Sequence, residues 1–311
     1  MSIAEPATIY SRALADLQPL LSSATVVRAN EPLSKRTTLR VGGPADLYIE
    51  PASEDDLSRT LRYCAQQNIP WMMLGRGSNL LVRDGGIRGV VICLASSNFS
   101  TIDVSADEIR CGAGVRLRSL AFEAKKANLT GFEFMEGIPG NVGGALRMNA
   151  GAMGSAMFEV LASVRYMDAE GDIHQKNVDE IPVEYRNCPL FKTNIVLSGT
   201  FAAHRGEKHA IEQKMNECSQ KRWKSQPAAP SAGCIFKNAA TIPAGRLVEE
   251  LGLKGTRRGG ALISDVHGNF IVNEKNATAR DILELIELVK EKARALRGIE
   301  LHTEVQIVGE D

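Results

Sequence analysis

Two glycine clusters do most to limit what this chain can fold into. The first, Gly75-Arg76-Gly77-Ser78-Asn79, directly follows the apolar run Trp71 to Leu74, which reads as a buried strand. Backbone N–H groups and small side chains at such a turn can wrap a phosphate, and glycine allows the close approach and the unusual dihedrals. Alone it is equally a plain tight turn, because it lacks both the GK[ST] ending of a P-loop and the third glycine of the dinucleotide fingerprint. The second, Gly137-Ile138-Pro139-Gly140-Asn141-Val142-Gly143-Gly144-Ala145, continues through Met148-Asn149-Ala150-Gly151-Ala152. That density in a long segment with few periodic signals, 131–154, points to a loop pressed against a flat or charged ligand more than to turns between strands.

The surrounding sequence supplies a mixed scaffold. Thr37 to Asp46 alternates and breaks at Gly42-Gly43-Pro44, which reads as a strand entering a turn. Ser53 and Asp56 resemble a capping box before Leu57, Leu61 and Cys64 at helical spacing, and Asn68-Ile69-Pro70 stops that helix. Leu80 to Val82 and Val90 to Ile92, on either side of Asp84-Gly85-Gly86, read as a hairpin, Glu108 to Ala113 as a strand, and Leu117 to Asn128 as a helix. Alternating runs from Val160 to His204, broken at Ala169-Glu170-Gly171-Asp172, predict antiparallel strands. Helices are expected over 206–222, near 244–251 and over 279–297, the last capped by Thr278 with Asp281 and ended by Gly298. Ile299 to Val308 alternates as a final strand with Glu304 on its polar face.

A chain of 311 residues exceeds what one core usually supports, so two or three packed units are expected. The 37 basic and 37 acidic side chains cancel, which argues against a nucleic-acid or membrane partner and for a small molecule. No signal-like start and no long apolar run are present, so a cytoplasmic protein is expected. The six cysteines form no CxxC pair or repeated spacing, so neither a metal site nor a disulfide framework is suggested.

Taken in this order, the two clusters resemble the flavin-binding half of the MurB reductases, a branch of the vanillyl-alcohol-oxidase type of FAD fold. The resemblance continues through Tyr185-Arg186, Arg222 with Gln226-Pro227, Ser231 to Asn238, Ala244 to Glu249, Leu253-Lys254-Gly255 and Leu301 to Val305, and covers nearly the whole chain from about residue 32. It implies an α+β fold: a two-lobed FAD-binding region over 1–207 and a C-terminal α/β substrate-binding domain over 208–311. The length resembles the shorter class, which lacks a substrate-covering insertion. The resemblance also implies non-covalent FAD, NADPH as electron donor, and a sugar-nucleotide enolpyruvyl ether as substrate in peptidoglycan precursor synthesis. A monomer is expected. It assigns Gly75, Gly77, Ser78, Asn79 and Leu80 to the flavin pyrophosphate loop and places Gly140, Asn141, Gly143 and Gly144 along the cofactor.

Adding hydride to an enolpyruvyl double bond puts negative charge on the neighbouring carbon, conjugated with the carboxylate. The site therefore needs a cation and a proton donor. Arg186 matches the family's catalytic arginine, whose fork suits a developing enolate, and Glu304 matches its C-terminal glutamate. Cys234 stands where most members carry a serine that protonates the intermediate. A thiol of reference pKa about 8.5 is mostly protonated at neutral pH and can donate in its place. Lys237 and Asn238, with Arg222 and His267, are the substrate-binding candidates. Asn187-Cys188-Pro189-Leu190-Phe191 departs from the family's usual hydroxyl-bearing stretch, which opens the question of what holds Arg186. Two rivals stay open: another FAD oxidoreductase of this fold, which need not keep Arg186, Cys234 and Glu304, and a catalytically impaired sugar-nucleotide-binding homologue.

Overall fold

The computed structural model describes residues 6–311; the first five residues of the region expected over 1–207 lie outside it. The architecture is α+β, in two compact units that each draw on separated stretches of sequence. One contains the residues up to 29, 47–75 and 89–221, and the other 30–46, 76–88 and 222–311.

The centre of the first unit is a five-stranded antiparallel sheet in the order Ile173–Asn177, Leu161–Met167, Ile195–Ala202, Glu108–Gly112, Ile102–Val104. The alternation read from Val160 to His204 thus forms strands as expected. Its tight turn closes because Asp168 Oδ1 accepts from the amides of Glu170 and Asp172, while Gly171 takes φ +83° without a Cβ to clash. A second sheet has the order Val26–Pro32, Pro44–Glu50, Ile87–Ile92, Trp71–Met73, with Trp71 to Met73 paired in parallel to Val90 to Ile92. The helix Glu54–Gln66 buries Leu57, Leu61 and Cys64, each leucine contributing about 1.5–3 kcal/mol. These join Ile49, Ile92, Leu120, Phe132 and Phe201 in one core.

The second unit has its own core, including Leu39, Leu81, Leu247, Ile263, Ile286 and Leu301. A three-stranded antiparallel sheet, Arg257–Arg258, Ala261–Ile263, Ile271–Asn273, packs with the helices Ala244–Glu250 and Ala279–Arg297. The long helix begins at the expected capping box, Thr278 with Asp281, and ends at Gly298 with φ +64°. Asp84 adds a second cap. Its carboxylate accepts from the amides of Ala279 and Arg280 at 2.9 and 3.0 Å, where the helix dipole also favours an anion.

Several local expectations are corrected. Leu80–Val82 does not form a hairpin with Ile87–Ile92 but pairs in parallel with Gln306–Val308. The Asp84-Gly85-Gly86 turn does form, with Gly86 N donating to Arg83 O, but the Arg83 and Gly85 amides donate to Val308 and Glu310 instead of a hairpin partner. Thr37 to Val41 is not a strand, because Arg40 takes φ +59° and breaks the extended run. The final strand keeps regular pairing only over Gln306–Val308. At Ser53 only half of the box is made: its side chain accepts from Asp56 N, while the Asp56 carboxylate turns to Ser22 N, Ser22 Oγ and Thr25 Oγ1. Inside the glycine-dense segment, Val142–Arg147 is helical despite two glycines. Packing overrides propensity there: Val142 N and Gly143 N donate to Val115 O and Ala113 O, and a Cβ on Gly143 would lie 3.0 Å from Ala113 Cβ.

Candidate active site

In the first unit, Arg186 sits in a tight turn in which Glu184 and Asn187 exchange both backbone hydrogen bonds. Its φ is +57°, a left-handed conformation that costs an arginine about 1–2 kcal/mol. The guanidinium donates to Gly151 O at 3.0 Å and lies 5.0 Å from the centroid of the exposed Tyr185 ring. Asn149 Nδ2 reaches Glu184 O at 3.5 Å. The turn is thus pinned to the second glycine cluster.

That cluster has the features of a ligand cradle. Asn141 Oδ1 is buried and is the one buried side-chain polar atom among the described residues without a partner. A buried acceptor left unmade costs about 1–3 kcal/mol, so it calls for a donor from a ligand. Gly137 and Gly144 have nothing within 4 Å of where a Cβ would stand, and neither has Gly75. Their bare backbones face open space. Gly140 O accepts from Leu117 N, which fixes the start of the loop.

In the second unit, Gly77 needs its missing side chain: φ is +60°, and a Cβ would lie 2.8 Å from Thr37 Cα. The following turn, Ser78-Asn79, leads into Leu80–Val82. Asn79 Nδ2 donates to Glu304 O at 3.1 Å, and Asn79 O accepts from Gln306 N at 3.0 Å. Thr38 Oγ1 lies 2.7 Å from Ser231 O and 3.3 Å from Gly77 O. Gly233, at φ +75°, brings the chain beside Ser78 O immediately before Cys234. The first glycine loop is therefore tied both to the strip bearing Cys234 and to the segment bearing Glu304.

The strip itself is held on two sides. Ile235 O accepts from Glu304 N at 2.8 Å and Val305 N at 3.3 Å, and Lys237 N donates to His302 O. Two successive amides on one carbonyl explain why the terminal strand bends at Glu304 and Val305, which leaves Glu304 half-buried. On the other side Asn269, only 3% exposed, accepts from Ile235 N through its backbone. Its side chain accepts from Phe236 N at 2.9 Å and donates to Phe236 O at 2.8 Å. Neither Asn269 nor Thr38 was singled out from the sequence. Their partners lie 33 and 193 residues away, and no local pattern signals such bonds.

The remaining candidates fall in the same unit with different duties. Lys237 and Asn238 are exposed beside the strip, and Asn238 Oδ1 accepts from Ala244 N, capping the helix that starts there. His267 Nδ1 accepts from Asn269 N, leaving Nε2 to carry the ring proton. Burial, with the Lys254 charge adding to it, lowers the His267 pKa, so the ring is neutral at physiological pH. Arg222 lies with its guanidinium 5.4 Å from the Trp223 ring centroid. No group of three or more His, Cys, Asp or Glu among the described residues is arranged to hold a metal, and no described helix is long and apolar enough to cross a membrane.

Comparison with known proteins finds relatives over most of the chain. The profile of the UDP-N-acetylenolpyruvoylglucosamine reductase C-terminal domain matches residues 226–308, and that of an FAD binding domain matches residues 45–176. The UDP-N-acetylenolpyruvoylglucosamine reductase of Clostridium botulinum (strain Alaska E43 / Type E3) is 42% identical over 289 residues, 92% of this chain and 94% of the relative. That of Syntrophus aciditrophicus is 43% identical over 291 residues, 91% of this chain and 92% of the relative. The crystal structure of the Thermus caldophilus enzyme matches with a TM-score of 0.80 at 38% identity, over 91% of this chain and 98% of that one.

Proposed function

We propose how the chain works from one premise: it belongs to the UDP-N-acetylenolpyruvoylglucosamine reductase family. It is a flavin-dependent oxidoreductase that reduces UDP-N-acetylglucosamine enolpyruvate to UDP-N-acetylmuramate with NADPH, in the cytoplasm and as a monomer. Bound FAD supplies a two-electron carrier between NADPH and the enolpyruvyl double bond. The partnerless Asn141 Oδ1 and the bare backbones at Gly75, Gly137 and Gly144 fit such a group. Gly75, Gly77, Ser78, Asn79 and Leu80 would hold its pyrophosphate, and Gly140, Asn141, Gly143 and Gly144 its other parts. Residues 208–311 would carry the substrate.

The chemistry rests on three side chains. Arg186 places a permanent charge where the enolate develops, and such preorganised charge needs no rearrangement during the reaction. Cys234 Sγ–H delivers the proton to the carbon next to the carboxylate, and Glu304 is the second proton-handling group. The observation that carries this assignment is the doubly clamped strip, which fixes Cys234 and Glu304 against the same peptide at Ile235. Lys237 and Asn238, exposed beside it, would meet the substrate's anionic groups, with Arg222 assisting. His267, neutral and bonded to Asn269, supports the strip in this scheme.

The test is an anaerobic titration of the purified protein. A flavin spectrum should bleach with NADPH and return on adding UDP-N-acetylglucosamine enolpyruvate. Cys234→Ser should retain turnover, while Cys234→Ala should bleach normally and fail to recover. Normal recovery in the alanine variant would remove Cys234 as proton donor, and bleaching without recovery in the parent protein would favour a different FAD oxidoreductase.

A further inference from the structure

The segment Asn187 to Lys192 after Arg186 carries no side-chain hydroxyl, and the structure shows what holds it. Arg147, at the end of the helix Val142–Arg147, is half-buried. Its Nη1 donates to Phe191 O at 2.7 Å and Lys192 O at 3.1 Å, and its own carbonyl accepts from Cys188 N at 3.1 Å. The two carbonyls lie at the end of the short helix Leu190–Thr193, where carbonyls lack intrahelical partners and a cation is favoured. Asn194 Nδ2 covers a third, Leu190 O. Arg147 has no carboxylate partner among the described residues, and burial lowers its pKa. A half-buried guanidinium whose Nη1 serves two backbone carbonyls and which meets no carboxylate is costly for ordinary packing.

We propose that Arg147 is the positioning residue for Arg186. The strained turn is gripped from the second glycine cluster on both sides. Asn149 and Gly151 hold Glu184 and the Arg186 guanidinium, while Arg147 fixes Cys188 and the helix that follows. Without the Arg147 side chain the helix Leu190–Thr193 loses two carbonyl bonds, only the backbone bond from Cys188 N to Arg147 O is left of the downstream anchor, and a residue held at φ +57° has a lower-energy conformation to relax into. The inference rests on the reading of Arg186 as the enolate-stabilising charge.

The experiment is anaerobic stopped-flow on Arg147→Met, Arg147→Lys, Arg186→Ala and the double variant, each reconstituted with FAD. Reduction of the flavin by NADPH makes no demand on Arg186, so Arg147→Met should reduce within about twofold of the parent. Its reoxidation by UDP-N-acetylglucosamine enolpyruvate should slow by about tenfold to 10²-fold, the scale of a misplaced catalytic group. Arg147→Lys, which can keep one carbonyl bond, should fall between the two and serves as the test if the methionine variant does not fold. In the Arg186→Ala background, Arg147→Met should add less than about twofold, because nothing remains to position. Parental reoxidation in Arg147→Met, or a full multiplicative loss in the double variant, overturns the proposal. Parental reoxidation in Arg186→Ala overturns the underlying reading instead, and the two failures are distinct.

Discussion

Asn269 offers the sharpest quantitative test of how the candidate site is built. Truncation to alanine removes two side-chain hydrogen bonds, to Phe236 N and Phe236 O, in a place where Asn269 is 3% and Phe236 2% exposed. Water cannot reach the orphaned groups without opening the strip. Each buried unpaired group costs about 1–3 kcal/mol, so Asn269→Ala should cost roughly 2–6 kcal/mol. The second unit has about 120 residues, and an unfolding entropy of about 2.1 cal/mol/K per residue converts a loss near 3 kcal/mol into roughly 10 °C of Tm. Asn269→Asp should recover part of this loss, since it keeps the acceptor for Phe236 N but sets a carboxylate against Phe236 O. Thermal unfolding and hydrogen exchange at the Phe236 amide read the two effects separately. A loss below about 0.5 kcal/mol with unchanged exchange at Phe236 would refute the clamp.

Three further outcomes follow from the geometry. Arg186→Gly should unfold about 1 kcal/mol later than Arg186→Ala, the reverse of the usual ranking, because glycine occupies φ +57° without a Cβ; paired denaturation curves check it, and alanine matching glycine would mean the turn carries no strain. Gly77→Ala should lower flavin content and stability together, as its Cβ would meet Thr37 Cα at 2.8 Å, measured by bound-flavin absorbance and Tm. Burial works against ionisation of Asp56, but bonds from Ser22, Thr25 and Ser53 outweigh it and lower its pKa. Its stabilisation is therefore complete above the unfolded value of about 3.9 and fades as pH falls through the lower folded value. The stability gap between the parent and Asp56→Leu, measured from about pH 6 to pH 2, should narrow only at the acid end.

Where information was local, the sequence was readable. The helix Ala279–Arg297 carried its periodicity, its Thr278 and Asp281 box and its Gly298 stop within its own residues, and it formed where expected. The strands Leu161–Met167, Ile173–Asn177 and Ile195–Ala202 were legible for the same reason. The terminal segment misled because Leu301 and Val305 remain buried through the bend, so the alternation of side chains survives where the regular pairing does not. Leu80–Val82 misled because a nearby turn suggested a nearby partner, while its partner lies at the far end of the chain. The glycine clusters mix two kinds of position that the sequence does not separate: Gly75, Gly137 and Gly144 face open space, whereas Gly143 is required by Ala113.

The parallel pairing of Leu80–Val82 with Gln306–Val308 bears on how the protein is made. A ribosome releases the glycine loop early, yet Asn79 cannot meet Glu304, 225 residues later, until that segment has been made. Most of the first unit can collapse during translation, while the first glycine loop waits. A chain that stops short of the strand Gln306–Val308 would therefore leave that loop unbraced.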